Sequence, residues 1–122
     1  MDQQIRPKLV VASADRALEW YGRAFGARTS QRAAEGDHVH FAAFTALGTT
    51  VTIKDADVHD PASEGVILDV RTDDVDTLWQ RVVQAGAEVV FPLGDQAYGS
   101  RAGRVRDPFG VQWILSGRLE GE

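Results

Sequence analysis

The sequence predicts an α+β fold of two tandem β-α-β-β-β modules, with helices on one sheet face and a curved mixed sheet enclosing a cavity on the other. Three observations carry this prediction. A strand-like run, a polar cap and an amphipathic helix occur in that order near the start, and again just past the middle. Leu9 and Leu68, Val11 and Val70, and Trp20 and Trp79 are each 59 residues apart. A polar linker, residues 56–64, which contains Pro61 and is followed by Gly65, separates the two copies. Two copies are too few for a solenoid, which needs at least three stacked repeats. They fit a single domain, with module one at 4–55 and module two at 65–117.

The elements follow in order. "IRPKLVVAS" has strand composition and ends on Ser13, a good helix cap. In "ADRALEWYGRAFG" the apolar residues Ala17, Leu18, Tyr21, Ala24 and Phe25 recur at helical spacing, and Gly26 supplies the stop. "ARTSQRA" is a strand, and "HVHFAAFTAL" and "TTVTIKD" form a hairpin joined near Gly48. After the linker, "GVILDVR" is a strand. Thr72 or Asp73 caps a helix with Val75, Leu78, Val82 and Val83 as its apolar stripe, ended by Gly86. "AEVVFPL", "AGRVR" and "VQWILS" are the remaining strands. Between the last two, "DPFG" is a corner. Asp107 accepts from turn amides, Pro108 fixes φ and Gly110 supplies a permissive dihedral.

Composition narrows the functional classes. The 122 residues are 43% hydrophobic and 25% charged, an ordinary globular mixture for one domain. Without cysteine, disulfides, thiol catalysis and thiolate metal sites are excluded. The formal net charge is −5, and "GSRAGRVR" is the single basic cluster, so no nucleic-acid partner is expected. The acidic balance leans toward a cationic ligand. No run approaches a membrane span or the apolar core of a signal peptide, and the expected location is cytoplasmic. No Gly-x-Ser-x-Gly elbow and no Walker-type phosphate loop is present. Asp73, Asp74 and Asp76 read as charges complementing a helix N-terminus, because a calcium loop needs more oxygen ligands.

The doubled pattern, together with "LVVASADRALEWYGRAFGA", "DDVDTLWQRVVQAGAEVV" and "GRVRDPFGVQWIL", resembles the vicinal oxygen chelate superfamily over nearly the whole chain. This is the glyoxalase, bleomycin-resistance and extradiol dioxygenase group. Its members include metal-dependent isomerases, dioxygenases and fosfomycin-modifying enzymes, and metal-free proteins that bind and sequester antibiotics. The resemblance implies His, Glu or Gln metal ligands on four strands. The corresponding positions here hold Arg6, Thr52, residues 65–67 and Ile114, none a ligand type. A shift of one residue recovers at most Gln112. No metal and no other cofactor is therefore expected. The competing reading uses His38 and His40, two residues apart on one strand, with Asp69 or His59 as a third donor.

Alternation along the strands divides core from cavity. Leu9, Val11, Val51, Ile53, Leu68, Val70, Trp113 and Leu115 are expected in the core. The expected ligand contacts are His38, His40, Phe44, Thr52, Ile67, Asp69, Gln112 and Ile114. To these are added Tyr98, in a glycine-bounded loop that can act as a lid, and Arg104. Arg101 and Arg106 read as solvated partners of surface acids, and Trp20 and Trp79 as packing residues. The mixed aromatic and aliphatic set suits a medium-sized organic molecule. The expected function is metal-independent binding of a hydrophobic or aromatic antibiotic or natural product, for resistance or biosynthesis. The alternative is a glyoxalase-like lyase or isomerase, or a dioxygenase, with a non-standard metal site. By the same resemblance the chain forms a homodimer, with domain swapping through the linker as one route.

Overall fold

Each half of the chain adopts the same strand–helix–three-strand order in the computed structural model, which describes residues 3–119. The elements are β1 (Lys8–Val11), α1 (Ala14–Phe25), β2 (Arg28–Glu35), β3 (His38–Ala46) and β4 (Thr49–Asp55). They are followed by β5 (Ile67–Arg71), α2 (Val75–Gln84), β6 (Glu88–Asp95), β7 (Arg101–Arg106) and β8 (Gln112–Gly117). The fold is α+β, two tandem β-α-β-β-β modules with one four-stranded mixed sheet each. The chain divides into two units, residues 3–22 with 26–63, and residues 23–25 with 64–119.

In the first unit the strand order is β1-β4-β3-β2, with β1 parallel to β4 and the other pairs antiparallel. Ser13 caps α1, its Oγ accepting the Arg16 N–H at 3.3 Å, and Gly26 ends the helix at φ 69°. Asp55, at the end of β4, reinforces that start. Its buried carboxylate accepts the Ala14 N–H at 2.7 Å and the Val39 N–H at 2.8 Å. Leu9, Val11, Val51 and Ile53 are buried, and the Tyr21 and Phe44 rings pack with centroids 5.3 Å apart. Trp20 is buried and meets Tyr21 edge-on, in keeping with a packing role.

Simple alternation fails within β3. Ala33 pairs with Phe41 and Ala34 with Val39, so β3 carries one extra residue, His40, against β2. Such a bulge reverses the face of everything beyond it. Ala42 and Phe44 pair with Ile53 and Val51, and therefore point toward α1. Phe44 is 1% exposed. The expectation that it contacts ligand is corrected: it is a core residue beneath Tyr21.

In the second unit the order β5-β8-β7-β6 repeats the first. The α2 cap is Asp74 rather than Thr72 or Asp73. Its carboxylate accepts both the N–H and the hydroxyl of Thr77, at 3.2 and 2.8 Å. Val70, Val75, Leu78, Val82, Val105, Trp113 and Leu115 are buried, and Leu68 is half-buried. Phe25 packs on Trp113 with centroids 4.4 Å apart. Trp79 lies over β7 at Gly103, where a Cβ would come within 2.6 Å of its ring. The 107–110 corner closes on Asp107. One carboxylate oxygen accepts the Phe109 and Val111 N–H groups at 2.8 and 3.1 Å, and the other accepts Trp113 Nε1–H at 2.9 Å.

The segment between β4 and β5 is structured at its start. Asp57 Oδ1 accepts the His59 and Asp60 N–H groups, and Lys54 Nζ donates to Asp57 and Asp60 at 2.9 and 2.6 Å. Lys54 and the turn amides hold the Asp57 carboxyl far below the usual carboxylate range. Ser63 then pairs with Val10, its N–H donating to the Val10 carbonyl and its hydroxyl oxygen accepting the Val10 N–H.

Candidate binding face

Cross-strand pairing places directly opposite residues on the same face of a sheet. In the second unit Ile67 pairs with Gln112, Asp69 with Ile114, and Arg104 with Ile114. Leu68, Val105, Trp113 and Leu115 alternate with them on the helix side. Ile67, Asp69, Arg104, Gln112 and Ile114 thus share the face opposite α2. Tyr98, from the β6–β7 loop, joins Arg104 and Ile114 around a depression of about 140 Å³. Six of the ten residues expected to meet ligand are brought together in this unit.

Four further lining residues were not anticipated, Phe91, Gln96, Ala102 and Gly103, and the first two bring aromatic and polar side chains. Phe91 pairs with Arg104 and stands 59% exposed on the same face. The guanidinium lies over its ring at 5.5 Å. The signal in sequence is an aromatic directly before Pro92, since a proline confines a strand to the sheet edge, where such a ring is accessible. Gln96 also lines the depression, and its side-chain amide donates to the Gly94 and Ala102 carbonyls at 2.9 and 3.0 Å. Together with the Gln96 N–H to Ser100 bond, this braces the loop that presents Tyr98, which is 74% exposed. The expected lid is therefore a pinned turn with an aromatic at its tip.

The three arginines of "GSRAGRVR" have different surroundings. Arg101 pairs with Asp76 at 2.9 Å and Asp95 at 3.1 Å, and Arg106 with Glu88. Arg104 has no carboxylate partner among the described residues, and its Nη1 donates weakly to Gln112 Oε1 at 3.4 Å. A larger hollow of about 660 Å³ lies at the start of α2, lined by Asp73, Asp74, Asp76, Arg101 and Arg118. Size does not favour it. Asp74 is used in capping and Asp76 in the pair with Arg101, and its walls lack the aromatic contacts that organic ligands need.

The first unit presents the other expected residues separately. Thr52 lies on the face opposite α1 but is 4% exposed, and its hydroxyl donates to the Pro7 carbonyl at 3.4 Å. His38 and His40 are adjacent, with ring centroids 4.8 Å apart. His38 Nε2 is 3.5 Å from Asp57 and its Nδ1 3.9 Å from Asp55, while His40 faces Glu35 at 3.6 Å. Among the described residues no three His, Asp or Glu side chains gather closely enough to hold a metal ion. Lys8 lies over the Phe41 ring at 4.9 Å. Burial first, then the Lys54 and Arg6 charges, push its ammonium pKa down. No helix among the described residues is long and apolar enough to cross a membrane.

The family model described as Glyoxalase/Bleomycin resistance protein/Dioxygenase superfamily matches residues 4–115. An uncharacterised protein of Mycobacterium bovis is 38% identical to this chain, over 94% of it and 83% of the relative. One from Mycobacterium tuberculosis has the same identity over 94% of this chain and 74% of its own. Among solved structures, TioX from Micromonospora sp. ML1 superposes with a TM-score of 0.80 at 29% identity, covering 97% of this chain and 100% of TioX. A glyoxalase/bleomycin resistance protein/dioxygenase from Nocardioides shares the fold, with a TM-score of 0.72 at 22% identity over 100% of this chain and 88% of its own.

Proposed function

We propose, since this chain belongs to the glyoxalase/bleomycin resistance protein/dioxygenase superfamily, that it holds a small hydrophobic or aromatic molecule against the helix-free face of its second sheet, without a metal. The observation that carries this reading is the composition of that face. Phe91, Tyr98 and Ile67 are all exposed there beside Ile114, with Arg104 and Gln112 as the polar groups that orient a ligand. Exposed apolar residues clustered on one surface mark a binding site more often than chance exposure. The absence of ligand-type side chains at Arg6, Thr52, residues 65–67 and Ile114 supports a role that does not use the superfamily's metal chemistry. Binding alone then serves sequestration of an antibiotic or carriage of a natural product, with the protein as a homodimer.

The second reading, a metal-dependent lyase, isomerase or dioxygenase, draws on the adjacent His38 and His40 rings. Among the described residues no third donor is aimed at the same point, and so it ranks behind. Tryptophan-fluorescence titration of EDTA-treated protein with glycopeptide, peptide-intercalator, anthracycline and bleomycin-type ligands tests the first reading. It predicts saturable binding by at least one class, weakened about tenfold in Phe91→Ala through loss of aromatic stacking. No response from any class, or binding that appears only when a divalent metal is restored, would count against it.

A further inference from the structure

We infer that the ligand of this face is an aromatic anion, with Arg104 receiving its carboxylate or equivalent acidic group. The inference rests on the binding face proposed above and specifies its ligand class.

Charge pairing along β7 is uneven. β7 carries three arginines on six residues, Arg101, Arg104 and Arg106. The outer two are matched by carboxylates of Asp76, Asp95 and Glu88. The middle one is held by neutral groups instead. The Phe91 ring lies beneath its guanidinium, and the Gln112 carbonyl oxygen accepts one N–H at 3.4 Å. These contacts fix the orientation of the fork and leave its positive charge intact. A guanidinium has five N–H donors in one plane, and a carboxylate is the group that matches two of them at once. The surroundings set what must be attached to that carboxylate. Phe91, Tyr98 and Ile114 surround the depression beside the guanidinium, so a planar ring lying there is in stacking range while its acidic substituent meets Arg104.

Two negative contributions, the net charge and Asp69, oppose an anion at this face. The chain as a whole is acidic, with a net charge of −5, which alone favours a cation. Screening limits that bulk preference to a distance of about 10 Å or less, while a contact anion sits far closer to the guanidinium. On the face itself, Asp69 is one strand beyond Ile114, two strand spacings or roughly 10 Å from Arg104. Arg71 shares the same face and offsets it. The local field at Arg104 is therefore positive.

The test is a titration of ¹⁵N-labelled protein with three matched probes, 2-naphthoate, 2-naphthamide and 2-naphthylmethylammonium, following the amides of Phe91, Arg104 and Ile114. The inference predicts that naphthoate binds about tenfold more tightly than naphthamide and that the ammonium binds weakest. Arg104→Gln should bring the naphthoate-to-naphthamide affinity ratio close to one, and the dispersed amide spectrum of the variant reports that it is folded. In the unaltered protein the naphthoate advantage should shrink as salt is raised. If naphthamide or the ammonium binds this face as tightly as naphthoate, or the advantage is independent of salt, the anion inference fails and the binding face stands. If none of the three perturbs these amides while the protein remains folded, the binding face itself fails, and the inference with it.

Discussion

Asp107 and Asp55 are buried carboxylates that do comparable work, and only one of them is legible from sequence. Asp107 serves Phe109, Val111 and Trp113, all within six residues, so turn chemistry alone identifies it. Asp55 serves Ala14 and Val39, which are 41 and 16 residues away, and no local pattern announces that. Both are acceptors to backbone N–H groups that have no water to turn to. Asp107→Ala strands at least three buried or half-buried donors and should cost ~3 kcal/mol. A urea midpoint lowered accordingly at unchanged slope is the expected result. A loss below about 1 kcal/mol would mean that the corner holds without its carboxylate. At the candidate site the same distinction applies. Arg104 is recognisable as the odd member of a basic cluster, but Phe91 beneath it is known only once β6 and β7 are paired.

Among the elements, the helices were readable because capping and 3.6-residue periodicity are local properties. Ser13 and Gly26 bound α1 as expected, and the α2 cap falls one residue beyond the nearer candidate. The strands were readable in position but not always in phase. One inserted residue in β3 sends Phe44 to the core, and nothing in "HVHFAAF" marks where the insertion falls. β7 has no such break against β8, and there Arg104 falls opposite Ile114 on the face away from α2. The contact between α2 and β7 depends on the missing side chain at Gly103. A Cβ there meets the Trp79 ring at 2.6 Å and the Leu93 backbone nitrogen at 2.8 Å, and backbone cannot step aside cheaply. Gly103→Ala should therefore cost ~2 kcal/mol. Gly94→Ala on the neighbouring strand, where a Cβ meets nothing within 4 Å, should stay within about 0.5 kcal/mol. Equal losses at the two positions in thermal or urea unfolding would remove the packing explanation.

For the whole molecule, the duplication was visible as a fixed spacing of about 60 residues, and the sheet orders β1-β4-β3-β2 and β5-β8-β7-β6 repeat it strand for strand. Electrostatics at this scale gives a definite pH dependence. Arg32 holds the Asp15 carboxyl below its ordinary 3.8, Lys54 does the same for Asp57, and the Thr77 hydroxyl and N–H do so for Asp74. Each binds its proton less readily folded than unfolded. The stability they contribute is complete above about pH 4 and is lost as pH falls below it. The urea midpoint should accordingly decline on the acid side. Since the Asp15–Arg32 pair is exposed, its share of the decline should weaken with added salt. A midpoint rising toward pH 3 would contradict these assignments. What composition could not give was the ligand. The overall charge of −5 points one way and the unmatched Arg104 the other, and the short-range term decides at a contact.

The central claim is that a small aromatic molecule binds the helix-free face of the second sheet without a metal. Amide-shift mapping of 2-naphthoate binding to EDTA-treated protein, repeated after adding zinc, nickel, manganese or ferrous iron, tests it most directly. The account predicts perturbations centred on Phe91, Tyr98, Arg104 and Ile114, with an affinity unchanged by any of the metals. Perturbations centred on His38 and His40, or binding that requires a metal, would contradict it.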